Sequence, residues 1–202
     1  MKKHDLRKEY KNLYSASAKK PVLLDVPPFN FLMIDGTGDP NTSQAFKHAV
    51  GTLYSISYTL KFACKKEMEV AYPVMALEGL WWMDDMREFS LDRQGDWKWT
   101  VMIMQPEFVP KLMVLKTIKQ VRKKSEMKDF PKVRLERFKE GRCAQILHVG
   151  PYSAEGPTIA RLHEFIAAAG CQLRGKHHEI YLGDPRRSAP EKLRTILRQP
   201  AA

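Results

Sequence analysis

The sequence predicts one α+β domain, built as an antiparallel sheet with helices on one face and a cleft on the other. The chain has 202 residues, 44% of them hydrophobic, which is enough for one substantial core. Apolar residues alternate with polar ones in several short segments and recur at helical spacing in others. Both halves contain a strand, a glycine-containing turn, a helix and a glutamate-bearing strand in that order, which predicts pseudo-twofold symmetry.

The first half of the chain begins with a charged leader. Residues 1–20 are mostly charged or polar, and we expect them to dock on the domain rather than form part of its core, with a helix from Asp5 to Leu13. The domain itself is expected to cover residues 21–202. Its first strand is predicted from about Phe29 to Asp35, and its first long helix from about Thr42 to Lys65.

A hairpin and a basic helix follow. The stretches "PVMALEGLWW" and "WKWTVMIMQPE" are typical of two strands, joined by a polar loop from Asp84 to Asp96. Apolar residues at helical spacing, interleaved with lysine and arginine, predict an amphipathic helix over about residues 110–128. We interpret its charged side as a solvated face.

The second half contains two further strands, a helix, and two short closing elements. "KVRLERFKE" and "GRCAQILHVG" alternate and meet at Glu140 and Gly141, which favours a hairpin between them. "PYSAEGPTIARLHEFIAAAG" predicts a turn and a helix that ends at Gly170. "KHHEIYLGD" is predicted as the last strand, and "APEKLRTILR" as a short helix with Pro190 in its first turn.

The two halves therefore define two repeats. Repeat one covers about residues 21–109 and repeat two about residues 129–202, with the basic helix as the link. When the halves are aligned by their order of elements, Glu78 and Glu179 occupy similar places. The symmetry predicts that these two acids approach each other at the centre.

Composition excludes several classes of protein. No stretch approaches the ~18 apolar residues of a membrane-spanning helix, and no signal-peptide pattern follows the N-terminus, so a cytoplasmic protein is expected. Three widely spaced cysteines without a CxxC pair, and histidines without metal-ligand spacing, predict neither a disulfide framework nor a metal site. The net charge is +11, but no DNA-binding motif accompanies it. We expect no more than weak, non-specific attraction to nucleic acid.

Two strands place an acid beside aromatic residues. Alternation puts Glu78, Leu80 and Trp82 on one face of their strand and Trp81 on the other. Trp81 is interpreted chiefly as a core residue, and the face of Glu78 and Trp82 as a pocket wall. The other strand repeats the pattern of an acid, one residue and an aromatic ring at Glu179 and Tyr181. Such walls suit planar or cationic ligands, through stacking, cation–π attraction and one charged contact.

Three stretches carry a resemblance to a known family. "EIYLGDPRRSAPEKLRTILR", "HVGPYSAEGPTI" and "ALEGLWW" resemble the GyrI-like small-molecule-binding family in its stand-alone subgroup, over about Pro21 to Pro200. The resemblance implies two βαββ-type repeats around a pseudo-twofold ligand cleft, with a central glutamate that matches Glu179 in placement.

The resemblance also implies a function. Its subgroup includes enzymes that hydrolyse the cyclopropane ring of planar, DNA-alkylating natural products, a detoxification reaction. For this chemistry we assign Glu179 as the general base that activates water, and Tyr152 or Tyr181 as the donor to the substrate carbonyl. Glu78 is either a second acid or a hydrogen-bonded partner, and Leu80, Trp81 and Trp82 are candidate ligand contacts.

A second interpretation stays open. The chain is alternatively a non-catalytic sensor or sequestering protein for cationic or planar drugs. Both interpretations expect a small-molecule ligand, no cofactor, and a monomer or weak dimer.

Overall fold

The computed structural model describes residues 1–86 and 91–202, and it confirms the α+β class. The strands that precede the basic helix at Lys111–Lys124 are β1 (Lys2–Lys3), β2 (Val22–Val26), β3 (Phe29–Thr37), β4 (Val70–Ala71), β5 (Leu77–Trp82) and β6 (Lys98–Gln105). Those after it are β7 (Arg134–Phe138), β8 (Gly141–Val149), β9 (His177–Tyr181) and β10 (Arg194–Pro200). The helices are α1 (Leu6–Glu9), α2 (Gln44–Glu67), α3 (Lys111–Lys124) and α4 (Gly156–Ala168).

Eight of these strands form one antiparallel sheet in the order β2-β8-β10-β9-β5-β6-β3-β7. The order is symmetric about its centre, because β2, β8, β10 and β9 correspond to β7, β3, β6 and β5. The two halves meet where β5 pairs with β9, and there Gly79 lies directly opposite Glu179. The sheet therefore has the predicted pseudo-twofold symmetry, with its axis at this pair.

Helices α2 and α4, one from each repeat, cover one face of the sheet. Phe46 of α2 packs on Trp81 and Trp99, and Leu162 and Ile166 of α4 form a buried cluster with residues of β8 and β10. In the strand register, Leu197 lies opposite Glu179 on one neighbouring strand and Gly79 on the other. Trp81 is two residues from Gly79 and therefore shares its face. Glu179 therefore faces the side of the sheet that carries the helices.

The N-terminal segment covers part of the other face. Leu13 is 2% exposed and packs beside Val26 and Cys143, while Tyr14 contacts a cluster that includes Ile180. The helix in this segment is only the single turn α1, shorter than the predicted span from Asp5 to Leu13. The segment thus contributes Leu13 to the core, which the sequence does not predict, and it covers Glu78 on the face opposite the helices, whereas Glu179 faces the helices.

The basic helix α3 packs against α2 rather than on the sheet. Val114 and Thr117 are its buried residues, whereas Lys116, Lys119 and Lys123 are exposed. Its amphipathic pattern therefore has the solvated basic face that the sequence predicts.

Two predicted elements are wrong. Strands β7 and β8 do not form a hairpin, because β7 pairs with β3 and β8 pairs with β2 and β10. The stretch "APEKLRTILR" is a short 3-10 turn at Pro190–Lys192 followed by strand β10, not a helix. β10 is a central strand buried on both faces, so its apolar residues do not alternate with polar ones.

The hairpin of β5 and β6 is confirmed. Part of its predicted polar connection, residues 87–90, lies outside the described residues. Among the residues that the structure describes, no helix is long and apolar enough to cross a membrane.

Candidate active site

The candidate site lies on β9, where the two halves of the sheet meet. His177, Glu179 and Tyr181 alternate along this strand and share the face on which α2 and α4 pack. The hydroxyl of Tyr181 donates a hydrogen bond to Oε2 of Glu179 at 2.7 Å, and Nε2 of His177 lies 3.4 Å from Oε1. One carboxylate oxygen therefore accepts a hydrogen bond from Tyr181, and the other lies near the imidazole of His177. Glu179 keeps 7% of its surface exposed.

A second carboxyl group, that of Glu155, lies against Glu179. It stands between the 3-10 turn Tyr152–Ala154 and α4, and it is only 1% exposed. Burial and, next, the charge of Glu179 raise the pKa of Glu155 to about 9. The N-terminus of α4 favours a carboxylate by only ~0.3–1 kcal/mol, which is less than one pKa unit. Glu155 is therefore protonated at neutral pH and can donate a proton beside Glu179.

Tyrosine rings border the two acids. The rings of Tyr152 and Tyr181 are 5.6 Å apart and nearly perpendicular, and both residues are half-buried. Burial, followed by the charges of Glu155 and Glu179, raises the pKa of Tyr152 to about 12. Burial and Glu179 also raise the pKa of Tyr181 well above its usual value. Both phenols are thus neutral hydrogen-bond donors at physiological pH.

Gly79 leaves the space that this arrangement needs. It lies opposite Glu179 on β5, and a Cβ atom there would come within 2.8 Å of the indole nitrogen of Trp81 and 3.1 Å of the Tyr181 hydroxyl. A side chain at this position would press on the Trp81 indole and on the phenol that bonds Glu179. Glycine within a strand commonly marks such a close approach.

The prediction that Glu78 and Glu179 approach each other is wrong. Glu78 lies opposite Ile180, so its side chain points to the other face of the sheet. The symmetry relates Glu78 to His178, one residue away from the predicted match. Nε2 of His178 lies 3.0 Å from Glu78, and the Tyr14 hydroxyl donates to the same carboxylate at 2.8 Å.

Two other predicted ligand contacts, Leu80 and Trp82, are separated from Glu179 by the sheet. Leu80 and Trp82 share the face of Glu78, where Leu80 is buried and Lys176 Nζ lies 3.2 Å from the centre of the Trp82 ring. Trp81 shares the face of Glu179 but packs in the core with Phe46, as its interpretation as a core residue requires. Of the predicted site residues, the structure therefore brings Glu179, Tyr152 and Tyr181 together, and the indole nitrogen of Trp81 and the Tyr181 hydroxyl both border the space at Gly79.

Glu155 and His177 are the residues that the sequence reasoning missed. The stretch "GPYSAEGP" that carries Tyr152 also carries Glu155, and His177 precedes Glu179 by two residues on the same face. Alternation alone could have found His177. Across the residues that the structure describes, no group of three or more histidine, cysteine, aspartate or glutamate side chains could hold a metal ion.

Comparison with known proteins relates the whole chain to one family. The family model of the GyrI-like small molecule binding domain matches residues 19–200. An uncharacterized conserved protein from Listeria innocua is 40% identical, with 98% of this chain and 99% of that chain covered and a TM-score of 0.89. A hydrolase from Listeria innocua is 39% identical over 100% of both chains, with a TM-score of 0.88. No match to a curated protein was found.

Proposed function

The chain belongs to the GyrI-like family of small-molecule-binding domains, and we propose that it hydrolyses the cyclopropane ring of planar, DNA-alkylating natural products. The observation that carries the proposal is the buried pair of Glu155 and Glu179, one holding a proton at neutral pH beside the other. Such a pair offers an acid and a base to one substrate. The Listeria innocua hydrolase, which is 39% identical over its full length, supports the same class of reaction.

The reaction needs both functions at once. In a cyclopropane conjugated to a dienone, water attacks the methylene carbon while the strained carbon–carbon bond breaks. The electron pair of that bond moves through the ring to the carbonyl oxygen, which takes up a proton and becomes a phenol. A base removes one proton from the attacking water, and an acid supplies one to the oxygen, so the protons balance and the product is a ring-opened alcohol.

Glu179 is the base in this proposal. Its carboxylate is the more exposed of the two acids, Tyr181 donates a hydrogen bond to one of its oxygens, and Nε2 of His177 lies 3.4 Å from the other. Because Tyr181 already donates its proton to Glu179, Tyr152 and Glu155 are better suited to donate to the substrate carbonyl. General acid–base catalysis of this kind typically contributes ~10²- to 10⁴-fold.

The rings around the acids supply the recognition surface. Tyr152 and Tyr181 lie edge to face, and Tyr54 of α2 is close enough to influence the pKa of Tyr152. Half-buried tyrosine rings beside the acids suit a flat aromatic ligand by stacking, and the Tyr152 hydroxyl can add a directed polar contact.

The direct test is turnover of a cyclopropylindole compound in water enriched in ¹⁸O. We expect a ring-opened alcohol that carries one labelled oxygen, detected by mass spectrometry, at a rate well above the uncatalysed one. Glu179→Gln, an amide of similar size, is the matched control and should form little product. A wild-type rate equal to the rate without protein would overturn the hydrolase proposal.

A non-catalytic sensor or sequestering protein is the second candidate, and the small-molecule-binding description of the family favours it. In that case the same site should bind the planar compound and release it unchanged. Equilibrium binding by calorimetry, followed by recovery of intact ligand, distinguishes this candidate from the enzyme.

A further inference from the structure

A buried cluster of four charged residues lies directly behind the candidate site. Glu78, Glu140, His178 and Arg198 are each no more than 4% exposed. Nδ1 and Nε2 of His178 lie 2.9 Å from Glu140 and 3.0 Å from Glu78, and Arg198 Nη1 lies 3.3 Å from Glu140. With His178 protonated, two cations balance two anions, which is the condition under which buried charges are tolerated.

The members of this cluster come from both halves of the sheet. Glu78 is on β5, His178 on β9 and Arg198 on β10, while Glu140 immediately precedes β8. His178 therefore links β5 of repeat one to repeat two through its two ring nitrogens. A single imidazolium spans the junction at which the sheet halves meet.

The N-terminal segment closes the cluster from outside. The Tyr14 hydroxyl donates to Glu78, Arg198 donates to the Leu13 carbonyl at 2.7 Å, and Gln145 donates to the Asn12 carbonyl at 2.8 Å. These bonds hold the segment over the charges and separate them from bulk water. The N-terminal segment thus covers the cluster, which lies on the face of the sheet opposite Glu179.

We propose that His178 is a positioning residue for Glu179, acting as a charged clamp that fixes β9 against β5 behind the acid pair. The catalytic part of this inference rests on the proposed function, whereas the structural part does not. His178 and Glu179 are consecutive, so they point to opposite faces of one strand. Any shift or twist of β9 that relaxes the bonds of His178 moves the Glu179 carboxylate relative to Glu155.

The protonation of His178 follows from its surroundings. Burial opposes the charged ring, but the carboxylates of Glu140 and Glu78 outweigh it and raise the pKa of His178 to about 9. The groups that face this ring are Glu140, Glu78 and, through them, Arg198 and Tyr14. The clamp is therefore charged throughout the neutral range.

The test compares His178→Gln with His4→Gln. His4 lies 3.3 Å from Glu9 in an exposed pair, so the control removes a histidine–carboxylate contact at the surface. We expect His178→Gln to lower kcat for a cyclopropylindole by about 10- to 100-fold, with little change in KM, because small misplacements of reacting groups have effects of this size. The control should leave both constants unchanged.

A second readout does not need turnover. The ¹³C resonance of the Glu155 carboxyl group reports its titration, and the charge of Glu179 helps to raise the pKa of Glu155. Displacement of Glu179 in His178→Gln should therefore move this titration downward from about 9. If the wild-type protein shows no turnover, the proposed function fails, and this titration still decides whether His178 positions Glu179.

The charge-balanced double variant guards against a simple folding defect. His178→Gln leaves one excess negative charge in the cluster, whereas adding Glu78→Gln restores neutrality and allows an amide pair. If the single variant unfolds, kcat and the Glu155 titration of the double variant decide whether His178 positions Glu179. An unchanged kcat and an unchanged Glu155 titration in a folded variant would overturn the inference, as would failure of both variants to fold, which would make the cluster structural only.

Discussion

The two faces of the sheet at the junction of β5 and β9 carry two acid clusters with opposite properties. On the helix face, Glu155 and Glu179 lie together, and the pKa of Glu155 rises to about 9. On the other face, His178 and Arg198 outweigh the effect of burial and lower the pKa of Glu140 to about 2. Both Glu155 and Glu140 are almost completely buried. Neighbouring charges, more than depth, therefore decide whether a buried carboxyl group is an acid or an anion.

The two clusters also differ in the roles that they can have, one in proton exchange and the other in stability. A protonated acid beside a carboxylate can exchange protons with a substrate, whereas a neutralised and sealed ion cluster cannot. The partly exposed face is therefore suited to chemistry, and the sealed face to holding the two repeats together.

The largest expected effect is on turnover and belongs to the helix face. Glu179→Gln should retain the fold and ligand binding but lose ~10²- to 10⁴-fold in kcat, because an amide cannot accept the proton of water. Steady-state kinetics measure the loss, and circular dichroism checks the fold. Unchanged turnover in a folded variant would remove Glu179 from the mechanism.

The next effect is on stability and contrasts the two faces directly. Glu140→Gln should lower the free energy of unfolding by ~3–5 kcal/mol, because it leaves His178 and Arg198 buried with too little negative charge. Glu155→Gln should be nearly neutral, because it replaces an acid that is already uncharged at pH 7 by an uncharged amide of similar size. Urea unfolding measures both, and equal losses would contradict the contrast.

The buried acids and His178 should also determine how the stability of the protein depends on pH. The raised pKa values of Glu155 and His178 mean that folding binds protons, so stability should fall as pH rises from 4.5 towards 9 for Glu155 and from 6.5 towards 9 for His178. The lowered pKa of Glu140 should make stability fall as pH drops from 4.5 towards 2.

Glu155→Gln provides the control for this profile. It should abolish the decline between pH 4.5 and 6.5 and reduce the decline between 6.5 and 9 to the part that belongs to His178. Thermal unfolding scanned across pH measures both slopes. If the decline in stability between pH 4.5 and 6.5 remains in the variant, it belongs to a group other than Glu155.

The smallest expected effect concerns surface charge. Replacing Lys116, Lys119 and Lys123 by glutamine should leave turnover and ligand affinity unchanged, because exposed substitutions usually stay within about ±0.5 kcal/mol. Kinetics at low and high salt check this result. A strong fall in activity, or in retention on a DNA column, would mean that the basic face of α3 recruits a polyanion.

Much of the fold could be predicted because local patterns determine it. The helix α2, the hairpin of β5 and β6, and the stop of α4 at Gly170, whose φ is 71°, all follow from short-range signals. The pairing of β7 with β3 could not be predicted in this way, because it joins the two repeats: β7 of repeat two pairs with β3 of repeat one, and β2 of repeat one pairs with β8 of repeat two. Strand β10 was missed because burial on both faces removes alternation.

The candidate site was predictable only in part. Glu179, Tyr152 and Tyr181, which the sequence suggests as site residues, lie together in the structure, whereas the match of Glu78 with Glu179 is one position out of register. In a strand, one residue is the difference between the two faces, so this small offset assigned Glu78 and Trp82 to the wrong side of the sheet relative to Glu179. Glu155 lies in a turn, where no periodicity indicates the direction of a side chain.

The protonation state of the buried glutamates, read by ¹³C NMR of the carboxyl carbons between pH 5 and 10, tests the division between the two faces most directly. We expect one glutamate that is protonated at pH 7, titrates near pH 9 and disappears from the spectrum of Glu155→Gln, while Glu140 stays ionised throughout that range. If every buried glutamate is ionised at pH 7, the helix face holds no acid, and the proposed division between the two faces is wrong.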